Sequence, residues 1–416
     1  MLEYIDSHAG EIVAALADLV RLPSVSGTDE ENTIQDVLAG QLGEMGLAVD
    51  HWQIPLAETL GAADFPGVEV DRREAWGLVG RLPGHGDGPS LMLNTHVDVV
   101  PPGELDTWNG AAPFSGSVDS STVYGRGACD MKAGLVAAHW ATRALAAVGV
   151  PLRGDLLIAC VQGEEDGGLG TYSMLQRGWR ADACVIPEPT SLDIAPASGG
   201  SLTFRLQISG LATHASRRTS GVSSIEKFVP IFQALRRLEA DRNRDPDPLM
   251  ARWDIAFPIE IGTVRAGAWP SSVPDRLTAN GRYGIALGED LAEARTVFER
   301  TIAEACAADL WLRDHPVEVQ WWGGQFASGR TELDSPIIAA TRDAHRSVSD
   351  YEQRTWGTPY GSDLRLMTTM GGIPTVHYGP GDAGLAHGPG ERVDIAELLT
   401  ACRALAVLAM NSCGTG

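Results

Sequence analysis

The stretch Leu91-Met92-Leu93-Asn94-Thr95-His96-Val97-Asp98-Val99-Val100 starts as an apolar run and finishes with a histidine and an aspartate separated by one residue. Strand side chains alternate between faces, so His96 and Asp98 are expected to point the same way. Two adjacent ionisable groups at a buried strand end are costly unless they bind something or each other.

Outward from this strand, the first 195 residues alternate helical and strand patterns. Helices are expected at about 2–21, 28–45, 132–148 and 170–177, and strands at about 76–81, 90–95, 155–161 and 182–186. The polar segment 55–75, with its Pro and Gly, reads as a loop or excursion. Such alternation predicts an α/β fold with a mainly parallel, doubly wound sheet covered on both faces.

After Pro196-Ala197-Ser198-Gly199-Gly200 the pattern changes. Leu202-Thr203-Phe204-Arg205-Leu206-Gln207-Ile208 alternates as a half-buried strand does. A helix at about 222–240, strands at 258–264 and 276–286, a helix at 290–308 and a strand at 317–322 follow. The order β-α-β-β-α-β is that of a ferredoxin-like unit. It is read as an inserted domain over 200–323, the larger domain being 1–199 with 324–416. The doubly wound pattern then resumes, with helices at about 335–349, 362–371 and 393–411 and a strand over 373–378.

Composition bounds the chemistry. The 416 residues are 44% hydrophobic and 21% charged, as in a globular protein. A net charge of -22 argues against nucleic acid or an anionic membrane as partner. The six cysteines are scattered without a CxxC pair, which fits a reducing, cytoplasmic address and argues against a thiolate metal site. The first 22 residues read as an amphipathic helix, not a signal peptide, because Glu3, Asp6, Glu11 and Asp18 interrupt the apolar positions. No run of 18 uninterrupted apolar residues occurs, so no membrane span is expected.

Ionisable residues recur where the predicted strands end: His96 and Asp98, Asp130 before helix 132–148, Glu164-Glu165, Glu188 and His387. Ligands of open α/β sheets bind at the carboxyl ends of the strands. Taken singly each has a bland reading: a hydrogen-bonded core histidine, a solvated Glu pair, an N-cap aspartate. Their shared position favours a metal centre. Histidine and carboxylate donors without cysteine suit Zn2+, with Co2+ or Mn2+ as alternatives. Two divalent ions are expected, one on His96, Asp130 and Glu188 and the other on Asp130, Glu165 and His387, with Asp130 bridging. Three carboxylates against two divalent ions leave charge for one hydroxide, the nucleophile of a hydrolase. Asp98 is expected to accept a hydrogen bond from the far nitrogen of His96, and Glu164 to act as the proton-transferring base.

The segments NTHVDVVPPG, YGRGACDMKAGLVAA, QGEEDGGLG, VIPEPT, SGLATHASRRTSG and AHGPGE together resemble the acetylornithine deacetylase, succinyl-diaminopimelate desuccinylase and carboxypeptidase G family of metallo-aminoacylases and peptidases. The resemblance spans essentially the whole chain. It implies a two-metal catalytic domain and a smaller lid domain that usually forms a homodimer. It further implies that His214 polarises the scissile carbonyl and that Arg282 binds a substrate carboxylate. Arg365 is a candidate for an anionic substrate group, with a surface helix position as the other reading. One departure is Ser271-Ser272-Val273-Pro274, where many members carry a substrate-contacting asparagine. The expected activity is metal-dependent hydrolysis of the amide bond of a small N-acyl amino acid or N-acyl amine. The alternatives are a metallo-dipeptidase or carboxypeptidase of the same fold, and a metal-binding protein without turnover.

Overall fold

The computed structural model describes residues 1–108 and 112–415. The chain divides into two compact units, Met1–Ala197 with Arg330–Trp356 and Ser362–Gly416, and Ser198–Gly329 with Gly357–Gly361. The expected boundaries at 199 and 324 differ from these by a few residues, and the short return Gly357–Gly361 to the smaller unit had no signal in the pattern.

The larger unit is built on a nine-stranded sheet. Its middle is parallel: Leu156–Val161, Leu91–His96, Ala183–Ile186 and Thr375–His377 lie side by side in that order. Alternate residues of one strand feed two separate cores. Leu91 and Leu93 pack with the helices Ala9–Arg21, Ala133–Ala147 and Ile395–Cys413, whereas Met92 packs on the other face with Leu169, Tyr172 and Met174. Burial on both faces explains why these strands read as continuous apolar runs.

The expectation of a mainly parallel sheet needs correction, because the sheet is mixed. Trp76–Leu82 runs antiparallel to Leu156–Val161, and Ala48–Gln53 antiparallel to Trp76–Leu82. Thr375–His377 pairs antiparallel with Ile194–Ser198 on the opposite side. The physical reason lies in the connections. A parallel pair needs a crossover of a dozen or more residues, usually a helix. Between Gln53 and Trp76 the only helix is Leu56–Leu60, too short to cross a sheet face. The segment expected at 2–21 as one helix is two, Leu2–Ser7 and Ala9–Arg21, meeting at His8.

A second, three-stranded sheet joins Ser117–Val118, Thr122–Tyr124 and Arg392–Asp394. It pairs Arg392 with Tyr124 and Asp394 with Thr122. The loop leading to Asp130 therefore lies beside the loop that follows His387. The last helix, Ile395–Cys413, is long and apolar enough to cross a membrane by length and composition. Leu398, Ala401, Leu405 and Leu408 along it are buried in the core.

The smaller unit has the β-α-β-β-α-β order expected of it, with sheet order Ile259–Ala266, Arg276–Ile285, Gly200–Ser209, Glu318–Phe326 and antiparallel pairing throughout. The alternating Leu202, Phe204, Leu206 and Ile208 face Ile231 and Leu235 of helix Ser224–Arg242 and Phe298 and Ile302 of helix Leu291–Ala307.

Candidate metal centre

Adjacent parallel strands end at one edge of the sheet, and the ionisable groups sit just beyond those ends. His96 closes its own strand. Glu164 and Glu165 follow Leu156–Val161 on one side, and Glu188 follows Ala183–Ile186 on the other. Asp130 reaches the same place from the turn before helix Ala133–Ala147. In that turn Gly127 has φ 82, and a Cβ there would lie 2.6 Å from Val99 Cγ1, so only glycine fits. His387 carries φ 61, a left-handed conformation uncommon outside glycine.

These residues converge. His96 Nε2 lies 3.2 Å from Asp130 Oδ1 and 3.7 Å from Glu188 Oε1. His387 Nε2 lies 3.4 Å from Asp130 Oδ2 and 3.1 Å from Glu165 Oε2. Two groups result, His96-Asp130-Glu188 and Asp130-Glu165-His387, each with its ligand atoms within 4.8 Å of one another. Asp130 belongs to both and turns a different oxygen to each. Glu165 Oε1 is buried and has no hydrogen-bond partner. An orphaned buried carboxylate oxygen beside imidazole donors is what a bound cation would satisfy, so the residues present fit two divalent ions.

The electrostatics carry the same message. Burial and the Asp130 charge push the Glu188 carboxyl well above the usual range. Burial, with Asp363 alongside, does the same to Glu164. The Glu165 carboxylate lifts His387 to about 11 against the opposing effect of burial, helped by Asp130. Burial also opposes the charged form of Asp130, but hydrogen bonding with His387 and His96 outweighs it and holds that carboxyl far below its ordinary value. The cluster is rich in buried carboxylate and short of positive charge.

Two expected roles need correction. The far nitrogen of His96, Nδ1, lies 2.9 Å from the backbone carbonyl of Asp98, whereas the Asp98 carboxylate is 3.7 Å away. The strand ends at His96, so the alternation that would aim the Asp98 side chain no longer applies. Nδ1 still donates, so Nε2 is the nitrogen turned toward the carboxylates, where it donates to Asp130 when protonated and is free to act as a ligand when it is not. The Asp98 carboxylate instead accepts from the backbone N–H groups of Glu164 and Glu165, each at 3.2 Å, and from Ser26 Oγ at 3.0 Å. It holds the Glu164 and Glu165 backbone at once. Arg365, read as a candidate for an anionic substrate group or as a surface helix residue, is 2% exposed and so is not at the surface. Its guanidinium donates to the carbonyls of Ser362 at 2.8 Å and Gly167 at 2.6 Å, so it braces two loops from inside.

Glu164 is buried, and its Oε1 accepts from the backbone N–H of Asp363 at 3.2 Å. His214 and Arg282 belong to the smaller unit, and both are exposed there. His214 Nδ1 pairs with Ser216 Oγ at 2.7 Å, and Arg282 Nε donates to Ser201 Oγ at 2.8 Å.

Two residues escaped the sequence reading. Glu391 is fully buried and forms an ion pair with the buried Arg126. Its Oε1 accepts from the N–H groups of Cys129 and Asp130 at 3.2 Å, while Arg126 Nη2 donates to His387 O at 3.0 Å. The pair ties the Asp130 and His387 loops together. A signal was present, since Arg126 precedes Asp130 by four residues and Glu391 follows His387 by four.

The family model for peptidase family M20/M25/M40 matches residues 92–411. The chain belongs to this family. Its relatives include an N-formyl-4-amino-5-aminomethyl-2-methylpyrimidine deformylase of Halalkalibacterium halodurans, 26% identical over 99% of this chain and 97% of that protein. Among solved structures, the dipeptidase Dug1p of Saccharomyces cerevisiae superposes with a TM-score of 0.78 at 14% identity, covering 99% of this chain and 98% of that one. A dinuclear metal-binding peptidase of the M20 family from Bacillus subtilis superposes with a TM-score of 0.63 at 17% identity, covering 97% and 98%. M20 membership, a full-length deformylase relative and the two ligand groups identify a metal-dependent amide hydrolase.

Proposed function

We propose that the protein is a deacylase that removes a small acyl group, formyl foremost, from an N-acyl amine or N-acyl amino acid. The observation that carries this reading is Glu164, a buried carboxylate beside two ligand groups and a member of neither. Full-length similarity to a deformylase supports the formyl assignment.

Two divalent ions, when bound, supply Lewis acidity for the acyl carbonyl and lower the pKa of the attacking water. His96, Asp130 and Glu188 would hold one, and Asp130, Glu165 and His387 the other. The donor set suits Zn2+, with Co2+ and Mn2+ next. The chain supplies proton transfer. Glu164 is fixed at Oε1 by the Asp363 N–H, so Oε2 is the oxygen that takes the proton of the attacking water and returns it to the leaving amine. Burial favours the protonated form of that carboxyl, which readies it for the second transfer. His214 is assigned to the acyl carbonyl. Its Nδ1 is engaged by Ser216, which leaves Nε2 for the substrate. Arg282 is assigned to an anionic group of the amine portion.

A homodimer through the smaller unit completes the proposal. Ile259–Ala266 ends that unit's sheet with Val264 exposed, and Ile225, Val229 and Phe232 form an exposed apolar row at i, i+4, i+7 of helix Ser224–Arg242. The cytoplasm is the proposed address, supported by six free, buried cysteines.

The test is a turnover screen of the metal-loaded protein with N-formyl, N-acetyl and N-succinyl amino acids, the N-formyl aminomethylpyrimidine and dipeptides. An N-acyl substrate should exceed every dipeptide in kcat/KM by about a hundredfold, the scale on which a pocket's shape alone separates related substrates. A dipeptide preference would overturn the deacylase assignment.

A further inference from the structure

Arg72 sits in the polar excursion 55–75, a segment the catalytic reading leaves without a task. Its side chain is 3% exposed and grips two buried carboxylates. Nε and Nη2 donate to Glu31 Oε2 and Oε1 at 2.9 and 3.0 Å. Nη1 and Nη2 donate to Asp166 Oδ2 and Oδ1, both at 2.9 Å. Planar guanidinium is the group that can fork to two carboxylates in this way, and an ammonium cannot reproduce it.

Asp166 is the residue after Glu164-Glu165. Its Oδ2 also accepts from the N–H groups of Glu69 and Val70 at 3.2 Å. Glu31 opens the helix Glu30–Glu44 and accepts from Gly27 N at 2.7 Å. Ser26, next to Gly27, donates to the Asp98 carboxylate, which in turn holds the Glu164 and Glu165 N–H groups. The connections close into a ring: Asp98, the Glu164-Glu165-Asp166 turn, Arg72, Glu31, Gly27 and Ser26. Steric fit follows the same path. A Cβ on Gly167 would lie 1.8 Å from Gly67 O, and one on Gly27 would lie 2.9 Å from Val70 Cγ2.

We propose that Arg72 is a positioning residue, which holds the Glu164-Glu165 turn against Asp98 and so sets the second ligand group and the base without touching either metal or substrate. The first ligand group, on His96, Asp130 and Glu188, lies further from Arg72 and meets the ring through the Asp98 carbonyl behind His96. A loss of Arg72 should therefore be felt unequally by the two metal positions.

The test compares Arg72→Lys, Arg72→Met and Asp166→Asn with the parent protein. In the metal-free proteins, amide hydrogen exchange over 162–168 should accelerate at least tenfold while exchange over 183–188 is unchanged. In calorimetric Zn2+ titration, one of two sites should weaken at least tenfold and the other stay within twofold. In turnover, kcat should fall with KM held, and Arg72→Lys should lie between the parent and Arg72→Met. This role rests on the metal-centre reading for its titration arm alone, because the exchange arm is read without metal. Equal weakening of both sites with a lowered Tm would overturn it, and so would exchange unchanged in Arg72→Lys. Should Arg72→Met fail to fold, Arg72→Lys and Asp166→Asn decide.

Discussion

Asp130 offers one carboxylate oxygen to each histidine: Oδ1 lies 3.2 Å from His96 Nε2, and Oδ2 lies 3.4 Å from His387 Nε2. The two ligand groups are thus joined through a single three-atom bridge. Asp130→Ala should abolish binding at both positions, whereas Glu188→Ala should empty one and Glu165→Ala the other. Elemental analysis after dialysis reads this directly. An Asp130→Ala protein that retains one equivalent of metal would contradict the shared ligand.

Glu164 is separable from metal binding. Glu164→Gln should retain both ions and lose about 10^2–10^4 in kcat, the usual reach of general acid–base catalysis. Its thermal stability should be equal or higher, because burial disfavours the carboxylate. Metal content, kcat and Tm of the same preparation check all three.

The Arg126–Glu391 pair is fully buried, and breaking one side leaves a charge without its partner. Glu391→Gln should cost about 3–5 kcal/mol. Replacing both residues with apolar groups of similar volume should recover part of that loss. Urea unfolding of the metal-free single and double variants measures the difference. Full stability in Glu391→Gln would mean that the pair does not hold the His387 and Asp130 loops together.

Acid should destabilise the larger unit through two buried histidines that belong to neither ligand group. Burial, with Arg143 nearby, lowers His139 to about 4, and burial lowers His377 to about 3. In the unfolded chain both titrate near 6.5. Between those values the unfolded chain binds more protons than the folded one, so stability rises with pH there and is lost as pH falls from 6.5. The scale is about 3–5 kcal/mol per histidine at 1.36 kcal/mol per unit. His139→Phe should flatten the stability-versus-pH curve between 6.5 and 4, as read by urea unfolding of metal-free protein. An unchanged slope would assign the acid loss elsewhere.

Three of the candidate ligands, His96, Glu165 and Glu188, could be read because parallel strands buried on both faces leave long apolar runs, and an ionisable residue just past such a run stands out. The βαββαβ unit could be read because Leu202, Phe204, Leu206 and Ile208 alternate cleanly. Ala48–Gln53 could not, since it is an outer strand with exposed and half-buried polar residues such as Asp50 and His51, and its apolar signal is weak. The direction of Trp76–Leu82 depends on a connection rather than on its own residues. Arg365 and Arg72 defeat composition-based reasoning for a common cause. A guanidinium is expected in water, and its burial depends on carbonyls and carboxylates brought from distant segments.

The small sheet that seats the His387 loop beside the Asp130 loop has a consequence for biosynthesis. His96, Asp130, Glu165 and Glu188 all precede residue 189, whereas His387 arrives about two hundred residues later. On the ribosome, those four residues emerge well before His387, and Glu391, which fixes the Asp130 N–H, emerges just after it. The candidate centre stays incomplete until strand Arg392–Asp394 emerges and docks on Thr122–Tyr124.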